Sequence, residues 1–306
     1  MKILYVTDLH GVTWKRWRVL ELAQQHQVQL VIDGGDILPG DDSFNQQGFL
    51  RGPFAEFCKA IALAKIYYLT MLGNDDLRIF DAQFDQILAE NRQWLFNLAQ
   101  KRVTVGGYEF IGFNLVVDNP FRLKDRCRLD YRGAPIGKQF GEPFVFEGLI
   151  TRRSLPNWPS YVRRLPTIQD ELEKLPQSEN IDKTVYVIHH PPFGVNLGTV
   201  CRRRKIHIKK KMYIKKTLVD LGSKSVRAFI KKRQPLLTLH GHIHESPSLT
   251  NVWQARIGRT ICIQPGQGLS EGELNYVIIE LETLDFNYYK DLYPETRIET
   301  VSVEGQ

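Results

Sequence analysis

The chain has 306 residues, 42% of them hydrophobic and 25% charged, which excludes a disordered or collagen-like protein. Its net charge of +7 is local: residues 201–216 hold nine Lys and Arg and no acid, so the rest of the chain carries −2. The apolar runs are too short for a bilayer span or a signal peptide, and the four cysteines are widely spaced, so we expect a cytoplasmic protein with reduced thiols and no membrane partner.

Short apolar runs alternate with longer amphipathic stretches, a pattern typical of βα units and a mainly parallel sheet. The predicted strands are 3–7, 28–32, 66–72, 102–105, 108–113, 184–188, 236–239, 260–263 and 274–281. The predicted helices are 14–25, 54–65, one within 76–100, 168–175 and 223–232. No linker or repeat divides the chain, so we predict one α/β domain over residues 1–306, with an irregular insertion at about 118–182.

Residues 201–216, CRRRKIHIKKKMYIKK, form the basic segment, which we predict to be hairpin-like because isoleucines alternate with its cations. One interpretation is a solvated strand pair. The other is a functional segment that reaches over a ligand-binding crevice and attracts a polyanionic substrate by its positive charge. Four further cations at alternate positions within 122–128 favour a solvated face.

Polar side chains follow five of the apolar runs, at the points where predicted strands end. The five endings contain Asp8 and His10, Asp33 and Asp36, Asn74 to Asp76, His189 and His190, and His240, His242 and His244. Because the carboxyl ends of strands line the ligand crevice of an open α/β sheet, we expect these side chains to converge. Six of the eight histidines lie in these endings, which random placement does not explain.

The residue types at these endings indicate divalent metal ions. Carboxylates, an amide oxygen and imidazoles suit Mn, Fe, Zn, Co or Ni, and the absence of cysteine argues against a closed structural zinc site. The donors exceed what one tetrahedral ion needs and suffice for two ions that share a carboxylate. Two ions ~3.5–4 Å apart are the usual arrangement for hydrolysis of phosphate esters.

The five endings read D-x-H, G-D-x-x, G-N-x-D, H and G-H-x-H, in that order between residues 8 and 244. This ordered set resembles the signature blocks of the calcineurin-like metallophosphoesterase family. The resemblance implies a four-layer α/β sandwich of two mixed β-sheets flanked by helices. It also implies a phosphoester substrate and two divalent metal ions, with Mn²⁺ the first expectation, and a bridging hydroxide that attacks phosphorus.

Carried over by position, the resemblance assigns a role to each block. Asp8, His10 and His244 are expected to bind one ion, Asn74, His189 and His242 the other, and Asp36 both. Asp75, Asp76 and His190 are the candidate catalytic residues, with Asp76 expected to orient the site. The turn at residues 264–266 is similar to one that closes the site in many phosphodiesterase-like members.

One position departs from the family pattern. Asp75 stands where the family usually has a histidine that helps to protonate the leaving oxygen. We therefore predict a phosphodiesterase-like enzyme that prefers diesters. Two alternatives remain open: a nuclease or nucleotide phosphodiesterase that uses the basic segment to bind nucleic acid, and a non-catalytic metal-binding protein that lost turnover with the histidine.

Overall fold

The structure, a computed structural model, describes residues 1–40, 42–208, 211–267 and 272–293, so Lys209 and Lys210 of the basic segment lie outside the described residues. The first nine strands are β1 (Lys2–Val6), β2 (Leu30–Asp33), β3 (Tyr67–Thr70), β4 (Leu95–Asn97), β5 (Arg102–Val105), β6 (Tyr108–Phe113), β7 (Val116–Val117), β8 (Cys127–Arg128) and β9 (Phe144–Phe146). The other strands are β10 (Arg152–Ser154), β11 (Thr184–Ile188), β12 (Thr199–Ile208), β13 (Lys211–Asp220), β14 (Leu237–Leu239), β15 (Gln254–Ile257), β16 (Thr260–Ile263), β17 (Glu273–Glu280) and β18 (Asp285–Leu292).

Eight α-helices accompany these strands in the described part of the chain. They are α1 (Thr13–Gln25), α2 (Ser43–Phe49), α3 (Ala55–Leu63), α4 (Asp81–Ala89), α5 (Trp158–Val162), α6 (Ile168–Glu173), α7 (Lys224–Arg233) and α8 (Ser246–Thr250). A π-helical turn, Leu50–Phe54, joins α2 to α3, and two short 3₁₀ turns precede α4 and β11.

Two six-stranded mixed sheets form the centre of the fold. The first has the order β18-β17-β1-β2-β3-β4, in which the four strands from β1 to β4 are parallel. The second has the order β15-β16-β14-β11-β6-β5, in which β16, β14, β11 and β6 are parallel. The central strands of each sheet are therefore parallel, so their carboxyl ends lie on the same side of that sheet.

Alternation along the strands determines the layers. In β1, Ile3 and Tyr5 belong to a buried cluster that also contains Val185 and Val187 of β11, so the two sheets pack face to face. Leu4, which lies between these two residues, points to the opposite face of the sheet. It belongs to a second buried cluster that contains residues of α1, α3 and α4. On the other side, residues of α6 and α7 cover the outer face of the second sheet. The resulting four layers confirm the predicted sandwich of two mixed sheets flanked by helices.

The sequence pattern missed several elements, and the physical reason is visible. Strand β18 alternates between exposed and partly exposed side chains at a sheet edge, so its sequence, DFNYYKDL, lacks an apolar run. Strand β4 has only three residues and lies within the range predicted to contain a helix. The antiparallel neighbours β15, β17 and β18 make both sheets mixed, whereas the βα rhythm alone predicts mainly parallel strands.

Residues 118–182 contain the short elements β8 to β10, α5 and α6. A separate buried cluster that includes Leu129, Trp158 and Val162 holds much of this region together. The capping box at Thr167 begins α6, whose Ile168 packs against the second sheet. Within the described part of the chain, none of the helices has the length and apolar character needed to cross a membrane.

A buried carboxylate joins β6 to the start of β11. Glu109 accepts hydrogen bonds from Ser178 Oγ at 2.7 Å, from Thr184 Oγ1 at 3.0 Å and from the backbone amides of Glu179 and Asn180. Burial opposes ionisation, but the hydrogen bonds from Ser178 and the two amides lower the pKa of Glu109 to about 2. The ionised carboxylate therefore stabilises the register of the strand that leads to His189.

The Glu109→Gln variant is expected to lose about 1.5–3 kcal/mol of unfolding free energy at pH 7. The folded pKa is below the ordinary value of 4.5, so the stabilisation is complete above pH 4.5 and disappears as the pH falls towards 2. Urea unfolding of the wild type and the variant between pH 3 and pH 7 measures how far the difference in their unfolding free energies shrinks as the pH falls. Glu142→Gln, a change at an exposed carboxylate outside this network, is the control; a Glu109→Gln deficit in unfolding free energy that stays constant with pH contradicts the assignment.

Candidate metal centre

The carboxyl ends of both sheets meet at one edge of the sandwich, and the predicted metal ligands lie there. The loops after β1, β2 and β3 carry Asp8, His10, Asp36 and Asn74. The loops after β11 and β14 carry His189, His242 and His244. Both sheets therefore contribute to one cluster, which the chain brings together from residues 8 to 244.

The first group of donors contains Asp8, His10, Asp36 and His244. One ligand-type atom of each lies within 4.8 Å of the corresponding atoms of the others. The two Nε2 atoms of His10 and His244 are 3.0 Å apart, and His244 Nε2 is 3.2 Å from Asp8 Oδ1. Two oxygen donors and two imidazoles thus face one small volume.

The second group contains Asp36, His189 and His242, whose ligand-type atoms again lie within 4.8 Å of one another. His189 Nε2 is 3.2 Å from Asp36 Oδ2 and 3.0 Å from Asn74 Oδ1. The Asn74 amide oxygen therefore belongs to this group as well. Asp36 is the residue that the two groups share.

The chemistry of the second group fits a metal ion. His189 Nδ1 lies 2.9 Å from the carbonyl oxygen of Gly34, which requires a proton on Nδ1. In the neutral ring, the lone pair of Nε2 then faces the oxygens of Asn74 and Asp36, which are themselves acceptors. Only a proton or a cation satisfies three acceptors in this arrangement, and the mixed N/O donors suit a divalent transition metal.

Four of these residues have a left-handed backbone. The φ angles are +57° at Asp8, +44° at His10, +53° at Asp36 and +67° at His242. Non-glycine residues adopt this region at a cost of order 1–3 kcal/mol each, and such residues concentrate at functional sites. The surrounding structure therefore holds these side chains in directions that an ordinary loop does not favour.

Two glycines make the close approach of the loops possible. A Cβ atom at Gly73 would collide with the side chain and backbone nitrogen of Asp36. A Cβ atom at Gly241 would collide with the side chain of Thr7 and approach Asp8 Oδ2. The glycine before Asn74 and the glycine before His242 in the sequence blocks are thus required by space at the centre of the site.

The charges of the cluster are paired. Burial alone would raise the pKa of Asp8, but the His244 and His189 imidazoles lower it to about 2. Conversely, burial would lower the pKa of His189, but the Asp36 carboxylate raises it to about 10. The Asp8 carboxylate likewise outweighs burial and raises the pKa of His244 to about 8. Metal ligation through His189 and His244 would therefore displace a proton from each ring.

Metal affinity is expected to rise steeply between pH 6 and pH 8. Ligation needs an unprotonated imidazole, and the raised pKa values keep His189 and His244 protonated at neutral pH. Release of two protons tightens the apparent affinity by ~100-fold per pH unit, and release of one by ~10-fold. Calorimetric titration with Mn²⁺ at pH 6, 7 and 8 measures both the affinity and the protons released. An affinity that does not change with pH contradicts this arrangement.

Asp76 positions two of the loops. Its carboxylate accepts hydrogen bonds from the backbone amides of Ile37 at 3.0 Å, Leu38 at 2.7 Å and Gly73 at 2.7 Å. All of these donors belong to the loops that follow β2 and β3. The side chain is fully buried and does not join either donor group, so it orients the site from behind.

Asp75 lies beside the donor groups and is partly buried. Its Oδ1 accepts a hydrogen bond of 2.7 Å from the side-chain amide of Asn74, and its backbone amide donates to Asp36 Oδ1 at 2.8 Å. Burial and the Asp36 carboxylate raise the pKa of Asp75 to about 7. The position is therefore electrostatically coupled to the cluster.

Two neighbouring histidines lie in the protein interior. His190 packs against His242 with ring centroids 4.9 Å apart, and its Nε2 lies 3.0 Å from the carbonyl oxygen of Leu221. His240 faces the carbonyl oxygen of Ile188 and the hydroxyl of Thr238, at 2.8 Å each, and is not part of the donor groups. Burial lowers the pKa of His190 to about 4 and that of His240 to about 3, so both are neutral at pH 7.

Sequence reasoning missed the cations that support the loops. Arg16 of α1 is buried beneath the site, 3.3 Å from Asp33 Oδ2 and 2.8 Å from the carbonyl oxygen of Ile37. Arg126 Nε donates to the carbonyl oxygen of Gly73 at 2.8 Å. Arg16 is one of three cations in α1, and Arg126 is one of several cations outside the helices, so neither position gives a sequence signal of this role.

The alternating cations of 122–128 are only partly the solvated face that was expected. Arg126 and Lys124 are buried, and Lys124 Nζ lies 2.8 Å from Asp118 Oδ1. Arg122, by contrast, is exposed. Of the four cations only Arg128 lies in a strand, β8, whereas Lys124 and Arg126 pair with acidic and carbonyl oxygens.

The late turn contacts the loop of His242 and His244. Gln264 is fully buried, and its amide nitrogen donates to the carbonyl oxygens of Ile243 at 2.6 Å and Gly241 at 3.3 Å. This contact holds the backbone between the two histidines.

A sandwich of two mixed sheets, with carboxylates, an amide and imidazoles gathered at their carboxyl edge, defines a metal-dependent hydrolase of phosphoesters. The chain belongs to the calcineurin-like phosphoesterase family, whose model matches residues 1–246. A comparison with curated proteins finds no match.

Solved structures resemble this fold at low sequence identity. The protein TT1561 of Thermus thermophilus has a TM-score of 0.54 at 16% identity, over 94% of this chain and 97% of that chain. An archaeal phosphodiesterase has a TM-score of 0.45 at 12% identity, over 95% of this chain and 100% of that chain. The phosphoesterase YfcE from E. coli has a TM-score of 0.29 at 14% identity, over 96% and 100% of the chains. The likeness to TT1561 supports the fold alone.

Proposed function

We propose that this protein hydrolyses phosphodiesters at a pair of divalent metal ions. The observation that supports a pair is the Asp36 carboxylate, which belongs to both donor groups. The proposed ligands of one ion are Asp8, His10 and His244, and those of the other are Asn74, His189 and His242, with Asp36 shared. When bound, two such ions supply a hydroxide nucleophile at neutral pH and stabilise charge that develops on phosphorus.

The protein's own residues hold this arrangement and need supply no Ser or Cys nucleophile. Gly34 fixes the tautomer of His189 through its carbonyl oxygen, so that Nε2 faces the site. The amide of His242 donates to both oxygens of Asp8, at 3.0 and 3.1 Å, and orients that carboxylate. His190 supports the His242 ring from the interior, and we assign it and Asp76 positioning roles.

Asp75 is the basis of the proposed preference for diesters. In the sequence block, Asp75 stands where the family usually has a histidine, and its backbone amide donates to the Asp36 carboxylate. At a pH above its pKa of about 7, the Asp75 carboxylate is negatively charged and repels a dianionic monoester more strongly than a monoanionic diester. A monoester with a poor leaving group also needs an acid more than an activated diester does.

Chelator-treated protein reloaded with Mn²⁺ is expected to bind two equivalents per chain. Asp36→Asn removes the shared charge, so the stoichiometry should fall to one or below and turnover should fall by ~100-fold or more. Metal analysis after gel filtration gives the stoichiometry, and bis(para-nitrophenyl) phosphate gives turnover. Asp85→Asn, at a surface carboxylate with a side chain 50% exposed, should leave both unchanged. One equivalent in both the wild type and Asp36→Asn refutes the shared site.

The Asp75→His variant is expected to raise monoester turnover relative to diester turnover by ~10-fold or more, because general acid help is typically worth ~10²–10⁴-fold. The kcat/KM values for para-nitrophenyl phosphate and its bis-ester measure this ratio. Asp75→Asn is the matched control, since it removes the charge without supplying an acid and should act mainly on monoester KM. If the wild type prefers the monoester and Asp75→His leaves the ratio unchanged, Asp75 has no part in ester selection.

A further inference from the structure

The basic segment forms a ribbon that the proposed metal chemistry does not use. Among the described residues, strands β12 and β13 pair only with each other, in one antiparallel ladder from Thr199 opposite Asp220 to Ile208 opposite Lys211. At ~3.3 Å per residue, a ten-residue strand extends for roughly 33 Å. A two-stranded ribbon of this kind is marginally stable in water unless something packs against it.

The ladder brings like charges together. Arg203 is directly opposite Lys216, and Arg204 is opposite Lys215. The side chains of Arg203, Lys215 and Lys216 are exposed to solvent. Like charges at opposed positions of a ladder destabilise the pairing, and a bound polyanion reverses that effect.

The ribbon rises from the rim of the metal centre. At its start, the Thr199 amide donates to Ser246 Oγ at 2.9 Å, two residues after His244. Its last strand leads into Leu221, whose carbonyl oxygen lies 3.0 Å from His190 Nε2. A polyanion that lies along the ribbon therefore passes the rim of the site.

The distribution of charge along the ribbon indicates the shape of the partner. Arg202 and Arg203 are consecutive, as are Lys215 and Lys216, so exposed cations point to both faces of the ribbon. A flat anionic surface neutralises one face only. A nucleic-acid groove has rows of phosphates on both sides, and a ribbon of roughly 33 Å matches one turn of B-form DNA, ~34 Å.

We propose that the β12–β13 ribbon binds double-stranded DNA by tracking the major groove. That groove, ~12 Å wide, admits a two-stranded ribbon, whereas the deep and narrow major groove of A-form RNA does not. Exposed aliphatic side chains at Met212, Ile214 and Leu218, 56–57% accessible, contact sugars and thymine methyl groups. If the metal centre acts as proposed above, the phosphodiester backbone of the duplex is then its substrate class.

Binding is measured by fluorescence anisotropy with a labelled DNA duplex two helical turns long, the full chain and EDTA, so that the result does not depend on catalysis. The variant Arg202→Ser, Arg203→Ser, Lys215→Ser, Lys216→Ser removes four exposed ribbon cations. It should weaken binding by ~10-fold or more at low salt and reduce the slope of log K against log salt by about 2–4. The control replaces four exposed cations elsewhere, Lys59, Lys65, Arg92 and Arg164, with serine and lowers the net charge equally.

A second variant replaces residues 202–217 with Asn-Gly, which joins Cys201 to Leu218 by a two-residue turn. This variant should lose duplex binding and retain hydrolysis of bis(para-nitrophenyl) phosphate. Equal losses in the ribbon variant and the surface control, or unchanged binding in both ribbon variants, overturn the proposal. So does tighter binding to an RNA duplex of the same sequence or to phosphatidylglycerol vesicles than to DNA. Failure of metal-dependent turnover alone leaves the binding result intact and counts only against the metal mechanism.

Discussion

The pairing of the Asp36 carboxylate with imidazoles is the interaction on which the site depends. Asp36 belongs to two donor groups, each of which combines residues from both sheets, and its negative charge balances the imidazoles on both sides. The two sheets are thus joined electrostatically at their carboxyl edge as well as by the apolar layer between them. Gly73 permits the approach, and Asp76 holds the loops that make it. A centre of this kind requires a rigid sandwich, since a small displacement of either sheet changes the distances between the donor atoms within each group.

The architecture was predictable wherever burial produced a pattern. Strands β5, β6, β11 and β16 have the predicted limits, because their apolar residues alternate or run between clear turn signals. The edge strands β15 and β18, unlike the edge strand β5, gave no such pattern, and β18 alternates exposed and partly exposed side chains. Their antiparallel pairing depends on contacts between distant parts of the chain, so the mixed character of the sheets came from the family resemblance and not from periodicity.

The seven proposed ligands were predictable because metal-ligand types at strand ends are few and ordered. Their supporting residues were not, since their roles arise from burial. Arg16 looks in sequence like any cation of a surface helix, yet it is buried with Asp33 and surrounded by the rings of Phe49, Phe54 and Phe57. Position in a strand ending is also not enough to assign a role, since His240 shares an ending with His242 and His244 but its ring faces Ile188 and Thr238.

The left-handed residues of the site have a consequence for how this protein tolerates change. At Asp8, His10, Asp36 and His242, glycine would adopt the observed backbone more readily than the residue present. Such a substitution removes a donor while it relieves the conformational cost of the loop. Robustness of the fold and competence of the site therefore oppose each other at these four positions, and variants selected only for thermal resistance would tend to lose the metals first.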